Sequence, residues 1–247
     1  MSQFTWSQTT NQNREFYQLS IYHYTSEDQE QILDTYFETA LIPALHSMNI
    51  HSVGVFRAIE NDTSVNKTMY VLIPVESLNS IGEMNEKLMK DEKFKSNSKE
   101  YANASFSTPV YSRIETILLK AFSLSPFMKL PQLESPINQR VYELRSYESA
   151  SEKIFRNKVH MFNEGGEIDI FSKLNFNAVF YGEVIAGAKM PNLMYMTTFE
   201  NKEDRDAHWA SFSIDPDWNH LSSLPEYKNN VSSSEIIFLH PTDYSDY

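Results

Sequence analysis

The chain has 247 residues, 41% of them apolar and 13% aromatic, enough to bury a sizeable core in a globular fold. Its 33 acidic and 21 basic residues leave a formal charge of -12, which repels a phosphate backbone and excludes nucleic acid as a partner. Cysteine is absent, so disulfides, thiolate metal sites and cysteine nucleophiles are excluded together; the composition suits a reducing compartment, and a cytoplasmic location is expected.

Residues 1–15 read as a polar leader that lacks the basic and apolar regions of a secretory signal. No run of about eighteen apolar residues occurs, so membrane insertion is not expected. From residue 16 the hydrophobic period alternates between two and 3.6, predicting a strand at 16–24, a helix at 27–46, strands at 51–59 and 68–75, a helix at 77–90 and a strand at 111–119. The stretch "LSPFMKLPQLESPINQ" (124–139) is rich in Pro and Ser, has no amphipathic period and marks a linker. The order then repeats. A strand at 140–147 precedes "SASE" (149–152), a capping box for a helix carrying Ile154, Phe155, Val159 and Phe162. Gly165-Gly166 kinks or splits that helix. Strands near 177–186 and 193–199 turn through "AGAKMPN"; "NKEDRDAHWASF" is a second helix, and "SSSEIIFLH" closes as the last strand.

The repetition also shows in individual residues. "FYQLSIYHY" and "VYELRSYES" share Tyr-x-Leu-x-x-Tyr, setting Tyr17, Leu19 and Tyr22 against Tyr142, Leu144 and Tyr147. The same offset carries Phe37 onto Phe162, Val55 onto Phe180 and Met69-Tyr70 onto Met194-Tyr195; after a one-residue slip Phe94 meets Trp218. Strand-helix-strand-strand-helix-strand is the ferredoxin-like unit, a four-stranded antiparallel sheet with both helices on one face. The expected fold is therefore α+β: two tandem ferredoxin-like βαββαβ units with their sheets packed face to face as an α+β barrel. The expected domains are the leader 1–15, a degenerate first repeat 16–123, the linker 124–139 and a second repeat 140–247.

The motifs "VYELRSYE", "FNEGGEIDIFSKLNFNAVFYGEV" and "LMYMTTFENKEDRDAHWASFSIDPDW", with the closing strand, resemble the NIPSNAP family of the dimeric α+β barrel superfamily. The resemblance covers roughly residues 140–240 and implies a fold without naming a reaction.

Candidate site residues come from two patterns. If Tyr142 and Leu144 face the helices, then Glu143, Arg145 and Tyr147 point into the barrel, where Tyr22 joins them. Arg145 then either bridges to Glu143 or holds a ligand carboxylate in a pocket shaped by Tyr22, Tyr147 and Tyr195. On the helix that starts near 201, Arg205, His208, Trp209 and Phe212 share one face, and Asp215-Pro216 caps a new helix that turns Trp218 toward the core. His160, with Asn163 and Glu164, could form a proton-transfer pair at helical spacing, though such pairs are more often solvated. GxSxG, Walker A, HExxH and GxGxxG motifs are absent, and His208 and His220 have no metal-ligand spacing. The favoured function is a small-molecule binding or interaction module with a barrel-interior pocket, no metal and no cofactor, as a monomer or homodimer. The resemblance leaves an alternative: a cofactor-independent monooxygenase or haem-handling enzyme, with His208 or His160 as axial ligand or proton carrier and Trp209 near the substrate. A third possibility is a scaffold whose barrel is filled with side chains.

Overall fold

A computed structural model describes residues 13–247; residues 1–12, most of the expected leader, lie outside the described residues. The first series of elements is β1 (Phe16–Tyr24), α1 (Glu27–Tyr36), α2 (Ile42–Ser47), β2 (Gly54–Ala58), β3 (Lys67–Val75), α3 (Leu78–Lys90), α4 (Glu92–Asn97), α5 (Lys99–Ala102) and β4 (Arg113–Ala121). The second is β5 (Val141–Glu148), α6 (Glu152–Phe162), α7 (Glu167–Lys173), β6 (Phe180–Ala186), β7 (Asn192–Phe199), α8 (Lys202–Ile214), α9 (Pro216–Ser223) and β8 (Ser233–Pro241).

Local chemistry sets most boundaries. The single helix expected over 27–46 is interrupted by a π-helical segment, Phe37–Leu41. Pro43 has no N–H for the carbonyl of Thr39, and that carbonyl instead accepts from the Asn97 amide at 2.7 Å. Ser26, Ser77, Ser151, Asn201 and Asp215 each cap a helix by accepting backbone N–H groups of its first turn. The cap of α6 is Ser151, whose Oγ accepts from the Ile154 N–H, whereas Ser149 donates to the Asn230 carbonyl at 2.7 Å. The predicted capping box is thus displaced by two residues. Gly166, at φ +92°, separates α6 from α7, a left-handed turn that glycine adopts without steric cost.

All eight strands run antiparallel to their neighbours in one closed order, β1-β3-β2-β8-β5-β7-β6-β4, with β4 returning to β1. The expected sheets therefore do more than face each other: they are joined along both edges, through the short seams β2–β8 and β4–β6, so that each described strand has a neighbour on both sides. Past β8, the Thr242 and Asp246 N–H groups bond the Val55 and Val53 carbonyls, continuing the seam between the halves.

Three apolar clusters follow from this closure. One fills the lumen with Tyr17, Leu19, Phe56, Leu72, Tyr142, Leu144, Phe180, Met196 and Leu239, among others. The second lies between the sheet and α1–α4, around Phe37, Leu45, Met69 and Val71; the third lies beneath α6–α9, around Phe162, Phe171, Phe176 and Tyr195. Most of both sheet faces is consequently buried, the ends of β4 and β8 excepted.

The strand registers correct two residue matches. Met69 pairs across from Tyr22 and lies under the helices, while Met194 lies in the lumen; Tyr70 faces the lumen and Tyr195 the helices. Val55 and Phe180 likewise occupy opposite faces. One constant offset cannot hold through β2 and β3, because a slip of one residue turns every side chain to the other face. Phe37 and Phe162, by contrast, occupy equivalent buried positions beneath their helices, and Phe94 and Trp218 each follow an Asp cap by the same spacing. Among the described residues, no helix is long and apolar enough to cross a membrane.

Candidate functional site

The side chains of β5 alternate as expected, but in the opposite phase. Tyr142 and Leu144 point into the lumen, Tyr142 lying 5.1 Å from the Phe56 ring; Glu143, Arg145 and Tyr147 point outward beneath the second helical layer. Tyr22 is outward too, on the first half, packed on Phe37 and Tyr111 at 5.1 and 5.8 Å. The barrel wall thus separates Tyr22 from Arg145, and the polar lumen expected from the sequence does not form. The physical reason is donor supply. A buried carboxylate needs several hydrogen-bond donors, and amphipathic α8 provides them where the opposing strands offer apolar side chains.

Glu143 has no solvent exposure. It accepts from Arg145 Nε at 2.6 Å, from Arg205 Nε and Nη2 at 2.7 and 2.9 Å, and from Trp209 Nε1 at 2.8 Å. Burial by itself raises its carboxyl, but the hydrogen bonds and charges of Arg205 and Arg145 outweigh it and hold the group below the usual carboxylate range. Arg145 stacks on the Trp209 ring at 3.6 Å and donates to the Tyr147 hydroxyl at 2.9 Å, which lies 3.0 Å from the Tyr195 hydroxyl. Burial pushes the Tyr195 phenol up, so it stays neutral. Close by, Lys158 and Glu167 form a buried pair at 2.8 Å. Arg145 is therefore committed to Glu143, Tyr147 and Trp209: of the two readings, the bridge is the one observed, and no fork is free to clamp a ligand.

The tryptophan-rich stretch staples α8 and α9 to the sheet. Trp209 meets Phe176 and Phe171 edge-on at 4.8 and 5.8 Å, and Trp218 lies 4.4 Å from Phe212. His160 is exposed on α6, its Nδ1 2.8 Å from the Tyr227 hydroxyl; among the described residues no hydrogen bond links it to Glu164. Asn163 instead ties α6 to the chain after β4, accepting from Ser123 Oγ and Leu124 N at 3.0 Å each.

His208 is placed differently. Its Nδ1 lies 2.8 Å from the Asp204 carbonyl and 3.2 Å from Asp204 Oδ1. Both are acceptors, so in the tautomer they select the N–H sits on Nδ1 and Nε2 presents a lone pair. Nε2 has no hydrogen-bond partner among the described residues. His208 lines a cleft of about 740 Å³ between the segment after β4 and the α7–β6 connection. Phe171, Phe176 and Tyr181 lie buried behind its floor, and exposed Leu130 with half-buried Leu133 gives it an aliphatic edge among polar side chains such as Gln132, Ser172 and Asn175. The charged side chains on the cleft are Asp169, Glu200 and Asp204 against Lys129. Sequence reasoning named His208 but missed Asp204, although their i, i+4 spacing on one helix was visible. The role of Arg205 had no local signal, since Glu143 lies 62 residues away, and Lys158 meets Glu167 only because the chain turns between α6 and α7. Among the described residues, no group of three His, Asp or Glu side chains is placed to hold a metal ion.

Two solved structures share this architecture over nearly the whole chain. A candidate monooxygenase from Fusobacterium nucleatum subsp. nucleatum superposes with a TM-score of 0.60 at 8% identity, over 93% of each chain. One from Lactobacillus acidophilus gives 0.57 at 10% identity, over 92% of this chain and 94% of its own. At these identities the likeness concerns the fold alone, that of an α+β barrel. A NIPSNAP family protein from Agrobacterium tumefaciens is 22% identical over 48% of this chain and 97% of its own, with a TM-score of 0.39. No curated protein matches the chain. The NIPSNAP family pattern matches residues 142–246, the span that runs from β5 through the closing strand and the seam beyond it. The match covers 105 of the 247 residues and lies wholly in the second half of the chain.

Proposed function

We propose that the protein is a binding module of the NIPSNAP type, and that its ligand is a small neutral apolar compound with a hydroxyl, held in the cleft beside His208 and not in the lumen. The observation that carries this reading is the unpartnered Nε2 of His208 on a cleft of about 740 Å³ with an aliphatic edge at Leu130 and Leu133. A lone pair accepts an O–H, and the Leu130–Leu133 edge suits an apolar body. Three carboxylates against one lysine disfavour an anionic ligand. The same balance is a poor fit for haem, whose two propionates would meet those carboxylates, so no cofactor is assigned. We also read the chain as two fused ferredoxin-like units, 16–123 and 140–247, joined by 124–139; the strand orders β4-β1-β3-β2 and β8-β5-β7-β6 support this. Closure of the strand order within one chain supports a monomer.

The test is a titration with 2-naphthol followed by side-chain histidine ¹H–¹⁵N NMR. A saturable shift of His208 Nε2 that is lost in Ser172→Trp, a substitution that fills the cleft, is expected. No saturation up to the solubility limit, or an equal shift in Ser172→Trp, rejects the cleft as the site. Haem added to the same protein should give no Soret band that depends on His208.

A further inference from the structure

The first helical layer holds a second pocket, remote from the cleft, of about 480 Å³. Its origin can be read from the helix caps. Counted from the caps of α3 and α8, Ser77 and Asn201, the second half places Trp209 and Phe212 where the first half has Asn85 and Leu88. Counted from Asp91 and Asp215, it places Trp218 where the first half has Phe94. At all three positions the first half carries the smaller side chain, and all three line the pocket. The volume taken up by the indoles and Phe212 in one half is left open in the other.

What remains is apolar and flat-walled. Tyr36 and Tyr101 stack at 3.8 Å with 7° between their planes, and Phe94 lies 6.1 Å from Tyr36. Met89, 66% exposed, stands on the pocket's lining. The charge is unusual for this chain: although acidic residues outnumber basic ones 33 to 21, the charged side chains lining the pocket are two lysines, Lys95 and Lys99. Lys95 reaches Glu92, and Lys99 makes no ion pair among the described residues. An apolar slot with a cationic rim complements an amphiphilic anion.

We propose that this pocket binds an organic monocarboxylate with an apolar, ring-bearing body, the ring lying against Tyr36, Tyr101 and Phe94 and the carboxylate at Lys99 and Lys95. This ligand is opposite in charge preference to that of the His208 cleft, so the two sites are separable.

The experiment uses the full chain, with 2-naphthoate and its uncharged analogue 2-naphthamide as probes. Calorimetry gives affinity, and the ¹³C-labelled methionine methyl spectrum reports on Met89. Naphthoate should shift the Met89 methyl and bind roughly five- to tenfold more tightly than the amide, the preference that two rim lysines can supply. Lys95→Gln with Lys99→Gln should reduce that preference to below about twofold, while Asn85→Trp should remove binding of both probes. Ala102→Leu fills the same pocket and replaces Asn85→Trp should that variant fail to fold. Equal affinity for the two probes, a preference that survives the double lysine change, or binding that survives the filled pocket overturns the proposal. Ser172→Trp in the other cleft should leave naphthoate binding unchanged; loss of binding there also overturns it.

Discussion

Replacing Glu143 by Gln keeps the size of the side chain and removes its charge, leaving Arg145 without its carboxylate partner and Arg205 with only the half-exposed Asp206. The two arginine side chains are only 12% and 16% exposed and Glu143 is fully buried, so solvent cannot take over the pairing. Removing one partner of a buried ion pair costs about 3–5 kcal/mol, because the remaining charge stays buried. For a chain of this length about 1 kcal/mol lowers Tm by about 2–4 °C, so the expected fall is roughly 6–20 °C at neutral pH. The pH dependence gives an independent check. The carboxyl is held below its ordinary value of 4.5, so its stabilising effect is complete above that pH and is lost as pH falls through the lower, folded-state value. The gap between native and variant should therefore be full at pH 7 and narrow below 4.5. Circular dichroism melts at several pH values measure both. A change under about 1 kcal/mol, or a gap that does not vary with pH, would mean that Glu143 is solvated and that the description of this layer is wrong.

Three further outcomes are expected. Lys158→Met or Glu167→Leu alone should each cost about 3 kcal/mol in urea unfolding, whereas the two together should come close to native stability, since a well-packed apolar pair can replace a buried ion pair; additive losses would contradict this. Burial raises the Glu167 carboxyl against the opposing effect of Lys158, so native stability should fall as pH rises from 4.5 through the raised value, and the double variant should lose that fall. At Gly54 an added Cβ would stand 2.7 Å from Phe56 Cζ, a ring already packed on Tyr142 and Tyr247; Gly54→Ala should cost about 1–3 kcal/mol by the same measurement, and a neutral result would show slack in the lumen.

The face assignment of β5 shows where reading the sequence stops. Alternation placed Glu143, Arg145 and Tyr147 together on one face, and they are together. It could not say which face, because in a closed barrel both are covered, one by helices and one by the opposite wall. Glu143, Arg145, Tyr147, Tyr195 and Trp209 consequently gather in one network as a set, while Tyr22, assigned by the same parity, ends under the other helical layer. His208 came from a helical stripe and does line a cleft, but the linker that forms the facing wall has no periodicity from which its path could be read. The slipped matches Met69–Met194 and Tyr70–Tyr195 have a related cause, since short motif identities tolerate a one-residue shift that reverses a strand's faces.

Element order, helix caps and the position of the two tryptophans are local properties: they depend on period, on Ser, Asn and Asp before a first turn, and on Pro and Gly in the chain, and these are written in consecutive residues. Barrel closure, the pairing of β2 with β8 and β4 with β6, and three of the four donors around Glu143 join residues far apart in sequence. Such contacts are chosen by how whole surfaces exclude water and satisfy buried charge, and only the folded chain makes that choice.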